Sequence, residues 1–187
     1  MAKRLDEIRR MTIEEFLAWD DGTETRYELD HGVPVAMNPP LVPHARIATN
    51  IGTVMERMLA GRRPCRALVG AGVVVSRTDA SFYIPDLVVT CEEPTSAPYV
   101  AEPRLVVEIL SPSTERLDKT VKVPAYGRLP SVQEIWLVSA ARRWVLVWRK
   151  VEGSWIAHLP YEADTSFPSP VLGGEVRLDE IYDLSGL

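Results

Sequence analysis

Lysine is scarce in this chain of 187 residues: of 21 basic side chains only Lys3, Lys119, Lys122 and Lys150 are lysines, which leaves 17 arginines. Cysteine is scarcer. Cys65 and Cys91 stand apart with no C-x-x-C pair, which argues against a disulfide scaffold or a cysteine-rich zinc site and suits a reducing cytoplasm. The three histidines, His31, His44 and His158, form no H-E-x-x-H or other zinc spacing. No apolar run approaches the roughly 18 residues of a membrane helix. The charged, amphipathic N-terminus from Met1 to Phe16 lacks the apolar stretch of a secretory signal. No G-x-S-x-G elbow supports a serine nucleophile, so Ser111 and Ser113 read as caps and turn residues. Gly70-Ala71-Gly72 lacks the lysine and helix of a phosphate loop. There is no helix-turn-helix, zinc finger or basic arm.

What is present is an ordinary globular composition, 46% hydrophobic and 25% charged, in a chain long enough to bury a full core as one domain. The net charge of −5 is unevenly spread: Arg104 to Lys150 carries nine Lys/Arg against four Asp/Glu, and the remainder 12 against 22. One face can therefore attract phosphates while the whole molecule stays acidic.

Residues 3–20 read as a short helix with Thr12 as a cap, and residues 25–37 as a β-hairpin turning at Asp30-His31-Gly32. Residues 38–43 read as a rigid loop, and 44–60 as a helix whose stripe is Ile47, Ile51, Val54, Met55, Met58 and Leu59. Strands are expected over 66–75, 83–90 and 104–110, the last two covered on both faces. A helix over 114–127 and strands over 133–139, 143–150 and 154–161 follow, then a Pro/Gly-rich tail ending in a short polar segment. This order predicts an α/β fold, a mixed sheet covered by helices.

Glu108 is the anomaly. Alternation in Leu105-Val106-Val107-Glu108-Ile109-Leu110 puts it on one face with Val106 and Leu110. A carboxylate among apolar neighbours needs a basic partner or a metal, because an unpaired buried charge costs several kcal/mol. Asp86 follows Pro85, which cannot donate to a ladder, so it belongs where a strand begins. Two such acids on neighbouring strands suit Mg²⁺ or Mn²⁺, and equally a pair of buried ion pairs. Asp118, Lys122 and Tyr126 share one helical stripe, which reads either as a lysine aimed at those acids or as a solvated face. His44 at a helix start reads as a phosphate contact or proton carrier, or as merely half-exposed. Trp136, Trp144 and Trp148 suit core or interface packing better than base stacking.

Together, Pro85-Asp86, the string Val107-Glu108-Ile109-Leu110-Ser111-Pro112-Ser113-Thr114, then Asp118, Lys122 and Tyr126 resemble the Uma-type endonuclease family of the PD-(D/E)XK restriction-endonuclease-like superfamily. The likeness extends back to Arg26-Tyr27-Glu28-Leu29 and His44 and forward to Glu134-Ile135-Trp136-Leu137-Val138, giving a core over about 12–150 and a C-terminal extension over 151–187. The resemblance implies a mixed sheet flanked by helices and Mg²⁺-dependent cleavage of DNA. Asp86 and Glu108 then take the metal-ligand roles. Leu110 stands where the superfamily's motif has lysine, so Lys122 is the candidate replacement and Lys119 the second. Glu28 is a further ligand or water-positioning base, or else a solvent-facing hairpin residue. His44, Lys119 and Tyr126 are expected against substrate. Pro124 departs from the pattern: the helix must kink there or end sooner. The competing readings are a nuclease-like binding module without catalysis and a homo-oligomer joined through Trp144 and Trp148.

Overall fold

The computed structural model describes residues 10–111 and 115–187. Residues 1–9, which include the first seven of the expected N-terminal helix, lie outside it, as do Pro112, Ser113 and Thr114. Helix α1 is Ile13–Leu17, opened by a capping box in which Glu15 N–H donates to Thr12 Oγ1 (3.1 Å) and Thr12 N–H to Glu15 Oε2 (3.0 Å). The hairpin follows as β1 (Tyr27–Asp30) and β2 (Val33–Ala36), with His31 (φ 49°) and Gly32 (φ 81°) making the left-handed turn. Helix α2 runs Val42–Leu59.

The strand expected over 66–75 is two strands in two sheets: β3 (Arg66–Val69) and β4 (Val73–Ser76). The chain turns between them at Gly70 (φ 59°), whose carbonyl accepts from Arg26 Nη2 at 2.9 Å. The stretch 83–90 is likewise divided into β5 (Ser81–Tyr83) and β6 (Leu87–Thr90), with Pro85-Asp86 in the break. A proline and two glycines mark these breaks in the sequence, but apolar periodicity alone runs through them. A Cβ on Gly72 would sit 2.0 Å from Phe82 Cζ, inside the cluster of Ile13, Phe16, Leu29 and Phe82. Gly72→Ala is therefore expected to cost about 1–3 kcal/mol by overpacking, read as a melting temperature lower by roughly 2–12 °C.

Strand β7 (Pro103–Leu110) lies at the centre of a seven-stranded sheet ordered β10-β9-β8-β7-β6-β3, with β8 at Glu134–Ser139, β9 at Trp144–Val151, β10 at Ser154–Ala157 and β11 (Tyr161–Glu162) also on β9. Only the β7–β8 pair is parallel. A smaller sheet, β2-β1-β5-β4, packs beside it. Both faces of β7 are covered as its apolar run predicts. Leu105, Val107 and Ile109 meet Ile47, Ile51 and Met55 of α2, while Val106 and Leu110 share the other face with Val88, Tyr83, Val123 and Tyr126.

The tail is not a polar segment. It forms the hairpin β12 (Ser166–Ser169) and β13 (Gly174–Arg177) and helix α5 (Leu178–Ile181), which send Phe167, Val176, Leu178 and Ile181 into the α2 side of the core. Tyr182 ties this tail down. Its hydroxyl lies 2.8 Å from the Trp144 carbonyl and 3.0 Å from that of Ser139, and accepts Trp144 N–H at 3.1 Å. Burial pushes the phenol up to about 12 from 10.0. The fold thus holds this proton more tightly than the unfolded chain, and its contribution, complete below pH 10, is lost as pH rises toward 12. The stability gap between the protein and Tyr182→Phe is expected to be constant below pH 10 and to narrow from 10 to 12 in chemical denaturation.

Cys65 and Cys91, expected as separate thiols, are joined by a disulfide. They flank the antiparallel β3–β6 ladder one step beyond its Arg66–Thr90 pair, so the register brings together residues 26 apart that no short motif would link. Among the described residues, no helix is long and apolar enough to cross a membrane.

Candidate functional site

The helix expected over 114–127 begins, in the described residues, as a turn α3 (Glu115–Leu117), continues as a π-helical turn over Asp118–Lys122, and resumes as α4 (Val123–Gly127). Val123 N–H donates to the Asp118 carbonyl, five residues back. Pro124 follows at the start of α4, where its missing N–H costs least. The wider turn answers the proline: the helix neither stops nor loses its stripe. An α-turn overshoots at i+4 by about 40°, whereas the wider π-turn, with its i→i+5 bonds, falls short. Asp118, Lys122 and Tyr126 accordingly all point inward.

They converge on Glu108, which is 4% exposed. Its Oε1 accepts the Tyr126 hydroxyl at 2.7 Å and faces Lys122 Nζ at 3.4 Å. Lys122, 5% exposed, also reaches Glu28 Oε1 at 2.8 Å and Asp118 Oδ1 at 3.6 Å, and stands 5.7 Å over the Tyr83 ring. Glu28 is not a solvent-facing hairpin residue. It is buried between the two sheets, where Oε1 also accepts Ile84 N–H at 2.8 Å. Asp118, whose stripe reads from sequence either as aimed at the acids or as a solvated face, is 2% exposed, which decides for the first. Tyr83 was missed altogether. It sits edge-on to Tyr126 and donates to Asp30 Oδ1 at 2.7 Å, and an aromatic in a short strand offers no signal of such a role.

Asp86 lies at the rim of this cluster. It precedes β6 by one residue, and since Leu87 pairs with Val107, the next step along the ladder sets it opposite Glu108. Its Oδ2 accepts Ile109 N–H at 2.6 Å. Its Oδ1 lies 3.3 Å from Nε2 of His44 in the first turn of α2, and its side chain is 24% exposed, against 5% for Glu108. The rim is where solvent meets the buried acids.

Charge in this space is unbalanced. Glu28, Glu108 and Asp118 surround the Lys122 ammonium, and Asp86 stands at the rim beside His44. Burial pushes the Glu108 carboxyl well above its usual range; Lys122 opposes the shift, and Asp86, Asp118 and Glu28 add to it. Burial pulls the Lys122 ammonium down, but Glu108, Glu28 and Asp118 outweigh it and leave the group raised and charged. Burial lowers the His44 imidazole, and the hydrogen bond and charge of Asp86 more than offset that, leaving it raised. Lys119 lies outside the cluster. It pairs with Glu115 at 2.5 Å and rests 5.3 Å from the Trp144 ring. Trp136 and Trp144 are buried, so neither presents a face for a base or a second subunit; Trp148 is half-buried.

An uncharacterized protein of Synechocystis sp. (strain ATCC 27184 / PCC 6803 / Kazusa), slr1290, is 28% identical over 184 residues, covering 92% of each chain. A second from the same organism, sll1609, is 25% identical over 132 residues, 68% of this chain and 74% of its own. The crystal structure of a "putative nuclease belonging to DUF820" from Anabaena variabilis ATCC 29413 superposes with a TM-score of 0.74 at 20% identity, covering 94% of this chain and 99% of that one, and establishes the restriction-endonuclease-like fold. Residues 13–179 match the model of the Uma2 family, described as "Putative restriction endonuclease", and the chain belongs to that family.

Proposed function

We propose that the protein is a divalent-metal-dependent endonuclease that hydrolyses DNA phosphodiester bonds, with Asp86 and Glu108 as ligands of Mg²⁺ or Mn²⁺. The observation that carries the reading is the excess of acid: three carboxylates around one ammonium, one of them a nearly inaccessible glutamate in the central strand, with a fourth, Asp86, at the rim beside His44. A divalent cation at the Asp86 rim answers that excess. Among the described residues no three His, Cys, Asp or Glu side chains form a ready cage. That suits Mg²⁺, which takes one or two carboxylates, keeps several waters and accepts substrate oxygens. When bound, such an ion makes a coordinated water a better nucleophile and neutralises charge on the phosphoryl oxygens.

The chain's own residues have distinct tasks. Tyr126 holds Glu108 Oε1, and Ile109 N–H holds Asp86 Oδ2, so both acids are fixed before substrate arrives. Glu28 fixes the Lys122 ammonium beside Glu108, where it stabilises charge developing on the attacked phosphate. His44, at the rim, orients Asp86 and carries a proton to or from solvent. Lys119 meets the strand outside the cluster. Cutting both strands suits a homodimer, which sedimentation would detect as twice the 20.9 kDa chain mass. With Cys65 and Cys91 joined, the separate thiols that suited a reducing cytoplasm no longer support that location.

A nuclease-like binding module without catalysis is the second reading, favoured by Leu110 in the motif's lysine position and by an ammonium committed to three carboxylates. Incubation with supercoiled plasmid and Mg²⁺ or Mn²⁺ separates the two. Nicking that EDTA stops supports the first; binding without nicking supports the second.

A further inference from the structure

Two residues beyond Glu108, on the same face of β7, Leu110 forms the wall of a second feature. A cavity of about 60 Å³ lies among Leu110, Glu115, Lys119, Ser139, Arg142 and Trp144. It opens at the end of the sheet where β7 and β8 both finish, which is also the end at which Asp86 enters β6. Lys119 Nζ and the Arg142 guanidinium carbon each lie 5.3 Å from the centroid of the buried Trp144 ring. One indole therefore holds two cations at the mouth of one small cavity.

Their partners within the chain are readily exchanged. Lys119 pairs with Glu115 and Arg142 with Glu162, at 2.5 and 3.5 Å, and all four side chains are between 37% and 65% exposed. Exposed pairs of this kind are weak and do little to hold either cation to its partner. Both cations also fall in the basic stretch Arg104–Lys150, which the carboxylate cluster uses only through Lys122. Strands lie about 4.8 Å apart and rise about 3.3 Å per residue, so the cavity mouth stands roughly 5–10 Å from Glu108. At about 3.4 Å of rise per nucleotide on one strand, that is within about three nucleotides.

We infer that this cavity is a backbone-phosphate subsite, in which Lys119 and Arg142, held on Trp144, clamp a DNA phosphate a few nucleotides from the one at Asp86 and Glu108. The inference rests on the nuclease reading for its orientation, but not for its binding. The test is titration of a fluorescein-labelled single-stranded DNA in EDTA, where no cleavage intervenes, over a series of salt concentrations. Each neutralised phosphate contributes about 0.7 to the slope of log K against log salt for single strands. The Lys119→Gln/Arg142→Gln double variant should therefore lose about 0.7 from the slope and bind more weakly. Arg57→Gln/Arg177→Gln, equal in charge and set on α2 and β13 away from this edge, should leave the slope nearly unchanged. An unchanged slope in the first pair, an equal loss in the second, or no DNA binding by the unsubstituted protein overturns the subsite. A protein that shows the predicted slopes yet cuts nothing with Mg²⁺ or Mn²⁺ retains the subsite and loses the nuclease reading.

Discussion

Replacing Glu108 with glutamine is expected to lower Mg²⁺-dependent plasmid nicking on the order of 10³-fold, comparable to removing one essential electrostatic group from an active site, while leaving the melting temperature unchanged or higher. Both halves follow from one geometry. Glutamine keeps the volume and can still accept the Tyr126 hydroxyl, so packing on the β7 face survives. What disappears is a buried charge that folding disfavours: burial alone drives the Glu108 carboxyl toward its neutral form, and three neighbouring carboxylates push the same way. The uncharged amide relieves that repulsion, and the remaining Glu28 and Asp118 still pair with Lys122. Such an outcome, activity lost and stability kept, is the mark of a group retained for chemistry at the expense of the fold. Asp86→Asn should lower nicking similarly. Full activity in either variant would remove the acids from the reaction, and a large fall in melting temperature for Glu108→Gln would make the glutamate structural.

Lys122→Met should act in the opposite sense on stability. Methionine fills the aliphatic volume but leaves Glu28, Glu108 and Asp118 buried without the ammonium that now lies 2.8, 3.4 and 3.6 Å from them. Breaking a buried ion pair by removing one partner costs about 3–5 kcal/mol, which in a domain of this size lowers the melting temperature by roughly 6–20 °C. A Glu28→Gln/Lys122→Met double variant should recover part of that loss, since one unpaired charge goes with the amine. Differential scanning calorimetry of the three proteins checks both statements. A Lys122→Met protein as stable as the parent would mean that the carboxylates are satisfied by something other than this lysine.

Glu108 was legible because its anomaly is local: an acid inside an apolar strand must be explained from six residues alone. Lys122 and Tyr126 were legible through their spacing, yet Pro124 made the helix look broken. The π-helical turn that absorbs it depends on where the flanking segments are anchored, which no local pattern reports. Glu28 had two readings of equal standing, since a four-residue hairpin strand does not reveal which face a second sheet will cover. The Cys65–Cys91 disulfide was hidden for the same reason, being a matter of register between distant strands, whereas Gly70 and Gly72 marked the division of residues 66–75 into β3 and β4 against an unbroken apolar run. The tail misled through composition. Its prolines and glycines are real turns, but the apolar side chains it sends into the core are spaced too irregularly to announce a buried face.

The central claim is that the acids at the head of β6 and within β7 hold one divalent cation. Calorimetric titration of Mn²⁺ into the protein and into Glu108→Gln and Asp86→Asn tests it without requiring a substrate. Saturable binding of one ion per chain, lost in both variants, is the predicted result; binding that persists in both, or no binding to the unsubstituted protein, would contradict it.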